Sequence, residues 1–185
     1  MSRVMDALND EHRNMARLLT FLERQIDIIS HAEEPDYDLV MDVLEYTRDY
    51  PDAYHHPKED LVYDKLKTRD PAAAKTVGDL RHEHEKVAEL SRHFAEVIEN
   101  VLAESAVSRD RVIEIARAFV DAMIKHMNME DTKFFPAALR SLTPEDWAEI
   151  DAAFDQRDDP LFGLHVAKAF TTLNEEIQRD AANPA

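Results

Sequence analysis

Two histidines in this chain are each followed four residues later by a glutamate and then an aspartate: His55-x-x-x-Glu59-Asp60 and His126-x-x-x-Glu130-Asp131. Two more close a second repeated pattern, Leu8-x-x-Glu11-His12 and Leu80-x-x-Glu83-His84. The offsets agree, 84 − 12 = 72 and 126 − 55 = 71, so the set is present twice. Four imidazoles and two carboxylates suit a first-row transition metal, and carboxylates able to bridge suit two of them. A lone histidine on a helix is ordinarily a satisfied core or surface residue. Six such groups on apolar stripes, in duplicate, are not explained that way, because burying polar groups without partners is costly.

The elements that must position these groups are helices. Apolar residues step by three or four along Val4, Leu8, His12, Met15, Leu19, Leu22, Ile26 and Ile29, up to a breaker at Glu33-Glu34-Pro35-Asp36. A second stripe, over about 37–67, runs through Val40, Leu44, His55, Glu59, Val62 and Leu66, and Asp70-Pro71 marks the next turn. The third, over about 72–104, follows Val77, Leu80, His84, Val87, Phe94, Ile98 and Val101. The fourth begins after Ser108, a favourable N-cap, and follows Val112, Ile115, Phe119, Met123, His126, Glu130 and Phe134. Thr143-Pro144 and Asp159-Pro160 each place proline directly after a cap residue and predict two shorter helices. The expected fold class is all-α: an up-down-up-down four-helix bundle over residues 1–140, then a helical extension over 141–185. That extension is expected to pack on the bundle or on a second subunit, making a homodimer in the second case.

Spacing brings the polar groups together. Side chains four apart on a helix differ by about 40° in direction and about 6 Å along the axis, so His55 can converge with Glu59 and His126 with Glu130. His12 and the His55/Glu59 pair each lie about 22 residues from the first turn, so antiparallel helices set them at one height. His84 and the remaining pair meet the same condition. Pro51 and Pro57 interrupt helix two, each removing a backbone donor, and predict a kink or bulge near residues 50–57, beside the site.

Composition narrows the partners. A formal net charge of −17 without a Lys/Arg cluster argues against nucleic acid and anionic membranes. The absence of cysteine excludes disulfides and thiolate sites, and two glycines are few for a β-rich fold. No apolar run approaches membrane-spanning length, and the first residues lack a signal-peptide core, so a cytoplasmic protein is expected.

His12, His55-x-x-x-Glu59, His84 and His126-x-x-x-Glu130 resemble the motif series of the hemerythrin-like, or HHE cation-binding, family over about residues 1–140. The resemblance implies a four-helix bundle holding two iron ions in a non-haem, oxo- or hydroxo-bridged diiron centre. It implies that His12 and His55 serve one iron, His84 and His126 the other, and that Glu59 and Glu130 bridge. Members carry or sense dioxygen, respond to nitric oxide or peroxide, or report iron status. A binding or sensing role is expected here; the alternatives are an enzyme decomposing peroxide or reducing nitric oxide, or an iron-storage or iron-gated interaction module. A ferritin-like oxidase would use Glu-x-x-His pairs instead.

The chain departs from the oxygen carriers of that family. Carriers have a fifth histidine four residues from the third-helix ligand, where this chain has Leu80 and Ala88. They also end in a longer spacing to aspartate. A nearly symmetric centre is therefore expected, and reversible oxygen carriage is not.

His56 points about 100° away from His55 on an ideal helix, which places it at the rim or just behind the ligands. The prolines of helix two leave open that His56, not His55, is the ligand. His82, about 200° from His84, is expected in solvent with His31, His93 and His165. Glu11 and Glu83 are read as a solvated face that could orient ligand histidines. Tyr54, Tyr63 and Phe134 fill the core or shape a cavity.

Overall fold

A computed structural model describes residues 2–154 and 158–182. Its long elements are α1 (Arg3–Ser30), α2 (Tyr37–Tyr50) running through a π turn (Pro51–His55) into α3 (His56–Arg69), α5 (Leu80–Leu102), and α6 (Arg109–Met129), which a second π turn (Glu130–Phe134) joins to α7 (Phe135–Ser141). A short α4 (Pro71–Val77) precedes α5, and α8 (Pro144–Ala153) and α9 (Thr171–Ala182) follow the bundle. There is no strand among the described residues.

The neighbour relations close a ring: α1 packs on α6, α6 on α5, α5 on α2, and α2 and α3 on α1. This is the antiparallel four-helix arrangement predicted from the apolar stripes. The starts of α1, α2, α5 and α6 each have a local cause. Ser2, Asp36, Asp79 and Ser108 each accept a backbone N–H of the following first turn, from Met5, Leu39, His82 and Arg111. Asp151 of α8 adds two hydrogen bonds to the α1 N-terminus, from the N–H groups of Arg3 (3.0 Å) and Val4 (2.9 Å).

The predicted irregularity of helix two is the first π turn. The His56 N–H bonds Pro51 O, five residues back, and Pro57 has no N–H to offer the ladder. The second π turn repeats the device: the Phe135 N–H reaches Glu130 O, and Pro136 follows. Two expectations need correction. Helix three does not run unbroken from 72: Gly78, at φ +99°, ends α4, and Asp79 caps a new helix. Nor does Asp159-Pro160 open a helix. The Asp159 carboxylate accepts from the N–H groups of Leu161 and Phe162, and Asp158 binds those of Leu164 and His165, so the chain makes a turn until α9.

Two apolar clusters sandwich the middle of the bundle. One is built around Leu18, Phe21, Leu44, Ile98 and Phe119 and takes in Leu173 and Ile177 of α9. The other is built around Met5, Leu8, Val62, Leu66, Leu80 and Phe134 and takes in Ile150 of α8. Both late helices thus bury apolar side chains on this chain's own bundle. The polar groups singled out from the sequence lie between the clusters, cut off from water at both ends. No helix among the described residues is long and apolar enough to cross a membrane.

Candidate metal centre

All six groups marked by the spacing meet in that middle layer. Glu59 and Glu130 are 0% exposed, and His12, His55, His84 and His126 are buried with them. Glu59 lies between the two halves: Oε1 is 3.4 Å from His55 Nε2, and Oε2 is 3.1 Å from His84 Nε2. Glu130 does the same, with Oε2 3.4 Å from His12 Nε2 and Oε1 3.2 Å from His126 Nε2 and 3.5 Å from His84 Nε2. Each carboxylate therefore touches one imidazole of the His12/His55 pair and at least one of the His84/His126 pair.

None of these close approaches has hydrogen-bond geometry. All four oxygens of Glu59 and Glu130, together with Nε2 of His12 and of His84, are buried without a hydrogen-bond partner. Two buried carboxylates left so would be strongly unfavourable on their own. Cations held between them and the imidazoles would satisfy both, and the donor set of nitrogen and oxygen atoms suits iron. His12, His55, Glu59 and Glu130 offer ligand atoms all within 4.8 Å of one another, as do His56, His84 and His126.

Two carboxylates outside this layer orient the imidazoles. Asp131 Oδ1 lies 2.9 Å from His12 Nδ1, and Glu11 Oε2 lies 2.9 Å from His55 Nδ1. A proton on each Nδ1 leaves Nε2 as the inward lone pair, the tautomer a metal ligand requires. Glu11 is no solvated-face residue: it is buried, and it also accepts from the Tyr50 hydroxyl (3.1 Å) and the Lys58 ammonium. Reading helix one alone missed this, because the three donors come from another segment. Asp131 carried only the repeated Glu-Asp signature, with nothing to point it at His12. Glu83 is half-buried, and so is His93, while His82, His31 and His165 are exposed as expected. Tyr63 and Phe134 pack at the cluster of Met5 and Leu66, and half-buried Tyr54 packs against that of Leu18 and Phe119.

Charge at the centre follows its neighbours. Burial pushes His55 down, but Glu59 and Glu11 override it and lift its pKa to about 10. His12 and His84 are likewise depressed by burial and lifted, to about 9, by Asp131 and Glu130 and by Glu130 and Glu59 respectively. Burial and the neighbouring imidazoles His84 and His55 push His56 down to about 2, and burial holds His126 down as well. Protons and metal cations compete for the same negative centre, so cation binding here releases protons.

His56 is half-buried, against a proposed ligand. Its ring stacks on that of His84, centroids 3.7 Å apart and planes 10° from parallel. It lines, with His12, His55 and His126, a cavity of about 20 Å³ whose apolar wall includes Met15 and Met123.

The fold and site define an all-α bundle with a buried histidine–carboxylate centre fit for cations. The sequence model of the hemerythrin HHE cation-binding domain matches residues 3–154, most of the chain, and the protein belongs to that family. Searches of curated proteins and of solved structures gave no match.

Proposed function

We propose that the chain is a non-haem diiron protein that binds or senses a small ligand, namely dioxygen, nitric oxide or peroxide. His12, His55, Glu59, His84, His126 and Glu130 would hold the metal, with the two glutamates shared between the His12/His55 and His84/His126 sides. The observation that carries this reading is the pair of fully buried carboxylates, each set between one imidazole of either pair and neither hydrogen-bonded. Bound iron supplies a redox-active centre at which a diatomic or peroxide can be held.

The chain's own residues do the rest. Glu11 and Asp131 fix the Nδ1 protons of His55 and His12, so that both Nε2 atoms face inward. The two apolar clusters keep water from the ends of the site. The cavity beside the histidines, about 20 Å³, matches a ligand of one or two heavy atoms, since about 10–15 Å³ suffices for one water.

Anaerobic iron loading tests the reading. The expected result is two irons per chain, antiferromagnetically coupled in the oxidised protein. Saturation at one iron without coupling overturns it. Turnover assays separate the classes: repeated consumption of peroxide or nitric oxide per site marks an enzyme, and stoichiometric binding alone marks a sensor.

A further inference from the structure

Three imidazoles, not two, gather on the α5/α6 side of the centre. His56, His84 and His126 each offer a ring nitrogen within 4.8 Å of the others. The His84 and His126 rings are 4.9 Å apart, and the His56 ring lies 3.7 Å from His84 and 6.5 Å from His126. On α5 itself the positions one turn from His84 are Leu80 and Ala88, so that helix supplies no second nitrogen there.

The π turn makes this possible. Consecutive residues of an ideal α-helix diverge by about 100° and cannot both face one bundle interior. Here the hydrogen bond from the His56 N–H to Pro51 O widens the turn. His55 then leans to one side, its ring 5.1 Å from His12, while His56 leans to the other, over His84. Both line the same small cavity.

We propose that His56 is a metal ligand, the third imidazole of the centre held by His84 and His126. The inference rests on the diiron reading above. It divides the nitrogens unequally: His12 and His55 on one metal, His56, His84 and His126 on the other. The nearly symmetric centre drawn from the sequence gives way to one with a more closed metal on the α5/α6 side. The His12/His55 side, with one imidazole fewer, would be the more open to an exogenous ligand.

The rival role for His56 is a flat ring that merely buttresses His84, and His56→Phe separates the two. Phenylalanine keeps a ring over His84 and has no nitrogen. The experiment is an anaerobic ferrous titration of the full chain, with Mössbauer spectra of ⁵⁷Fe-loaded protein. Unsubstituted protein should take two irons and give two quadrupole doublets of equal area. His56→Phe should weaken one iron by at least about ten-fold, the range for lost ligand support, and shift one doublet while the other stays. A His56→Phe protein with the affinity and spectrum of the unsubstituted chain overturns the proposal and leaves the diiron reading standing. Failure of the unsubstituted protein to take two irons overturns that reading instead. Should His56→Phe not fold, the unsubstituted spectrum decides: a single doublet from equivalent irons overturns the proposal.

Discussion

Glu11 Oε2 and His55 Nδ1 lie 2.9 Å apart across the seam between α1 and the first π turn, in a spot where the same carboxylate also meets Tyr50 and Lys58. One buried acid thus orients a proposed metal ligand and neutralises a buried ammonium. Replacing Glu11 by glutamine should weaken metal at the His12/His55 side by about 10–100-fold, the usual cost of losing an orienting carboxylate. A metal-competition titration against a chelator of known affinity reads this directly.

The same substitution should cost stability through Lys58, which is 6% exposed and loses its counter-charge. Breaking a buried pair from one side typically costs about 3–5 kcal/mol. Adding Lys58→Met to Glu11→Gln should recover most of that loss in a denaturant titration of metal-free protein, without restoring metal affinity. Recovery of both would mean that Glu11 acts on the metal only through Lys58.

Asp131 offers a graded comparison. It meets His12 Nδ1 at 2.9 Å as Glu11 meets His55, but its side chain is 49% exposed. Water can replace it, so Asp131→Asn should lower metal affinity by less than about ten-fold, the lower edge of the range for orienting groups. An effect as large as that of Glu11→Gln would show that burial is not what separates them.

Alanine at His55, Glu59, His84, His126 or Glu130 should lower metal content and, in the metal-loaded protein, the melting temperature. A cation bound only to the folded state stabilises it by about 4 kcal/mol when present at a thousand times its dissociation constant. Exposed His82 and half-buried His93, which meets Arg111 and Glu96 and none of the six proposed ligands, serve as controls, and alanine there should change neither property. Elemental analysis and thermal unfolding check both statements.

Away from the site, Arg69 clasps the buried Asp146 carboxylate with two hydrogen bonds, Nε at 2.7 Å and a terminal nitrogen at 2.9 Å. The Arg69 guanidinium, followed by the Thr143 N–H, holds that carboxyl well below its ordinary range. The folded state therefore takes up this proton less readily than the unfolded chain, whose value is about 3.9. The contribution is complete above that value and is lost as pH falls through the folded one. Arg69→Met should melt below the unsubstituted protein at neutral pH, and the gap should close in acid below about pH 4.

The sequence determined the six residues of the proposed ligand set because their placement is a helical-period question. His55 and Glu59, or His126 and Glu130, share a face whenever the local backbone is α-helical, and the apolar stripes show which face is inward. Arm lengths between turns then fixed the common height. The kink at 50–57 was legible for the same local reason, since Pro51 and Pro57 each remove a backbone donor.

Tertiary structure decided the rest. Nothing in the period of helix one distinguishes a solvated Glu11 from one that meets His55, Tyr50 and Lys58, because all three partners arrive from α2, the π turn and α3. Asp131 meets His12 across two helices 119 residues apart in sequence. The 100° step of an ideal helix put His56 at the rim or just behind the ligands, and only the π turn shows that its ring lies over that of His84. The same holds at Gly78 and Asp159, where a positive φ and a carboxylate-bound turn overrode an apolar period and a proline signal. Periodicity reports which way a side chain faces on its own helix, whereas what it meets there depends on neighbours that only the folded bundle brings alongside.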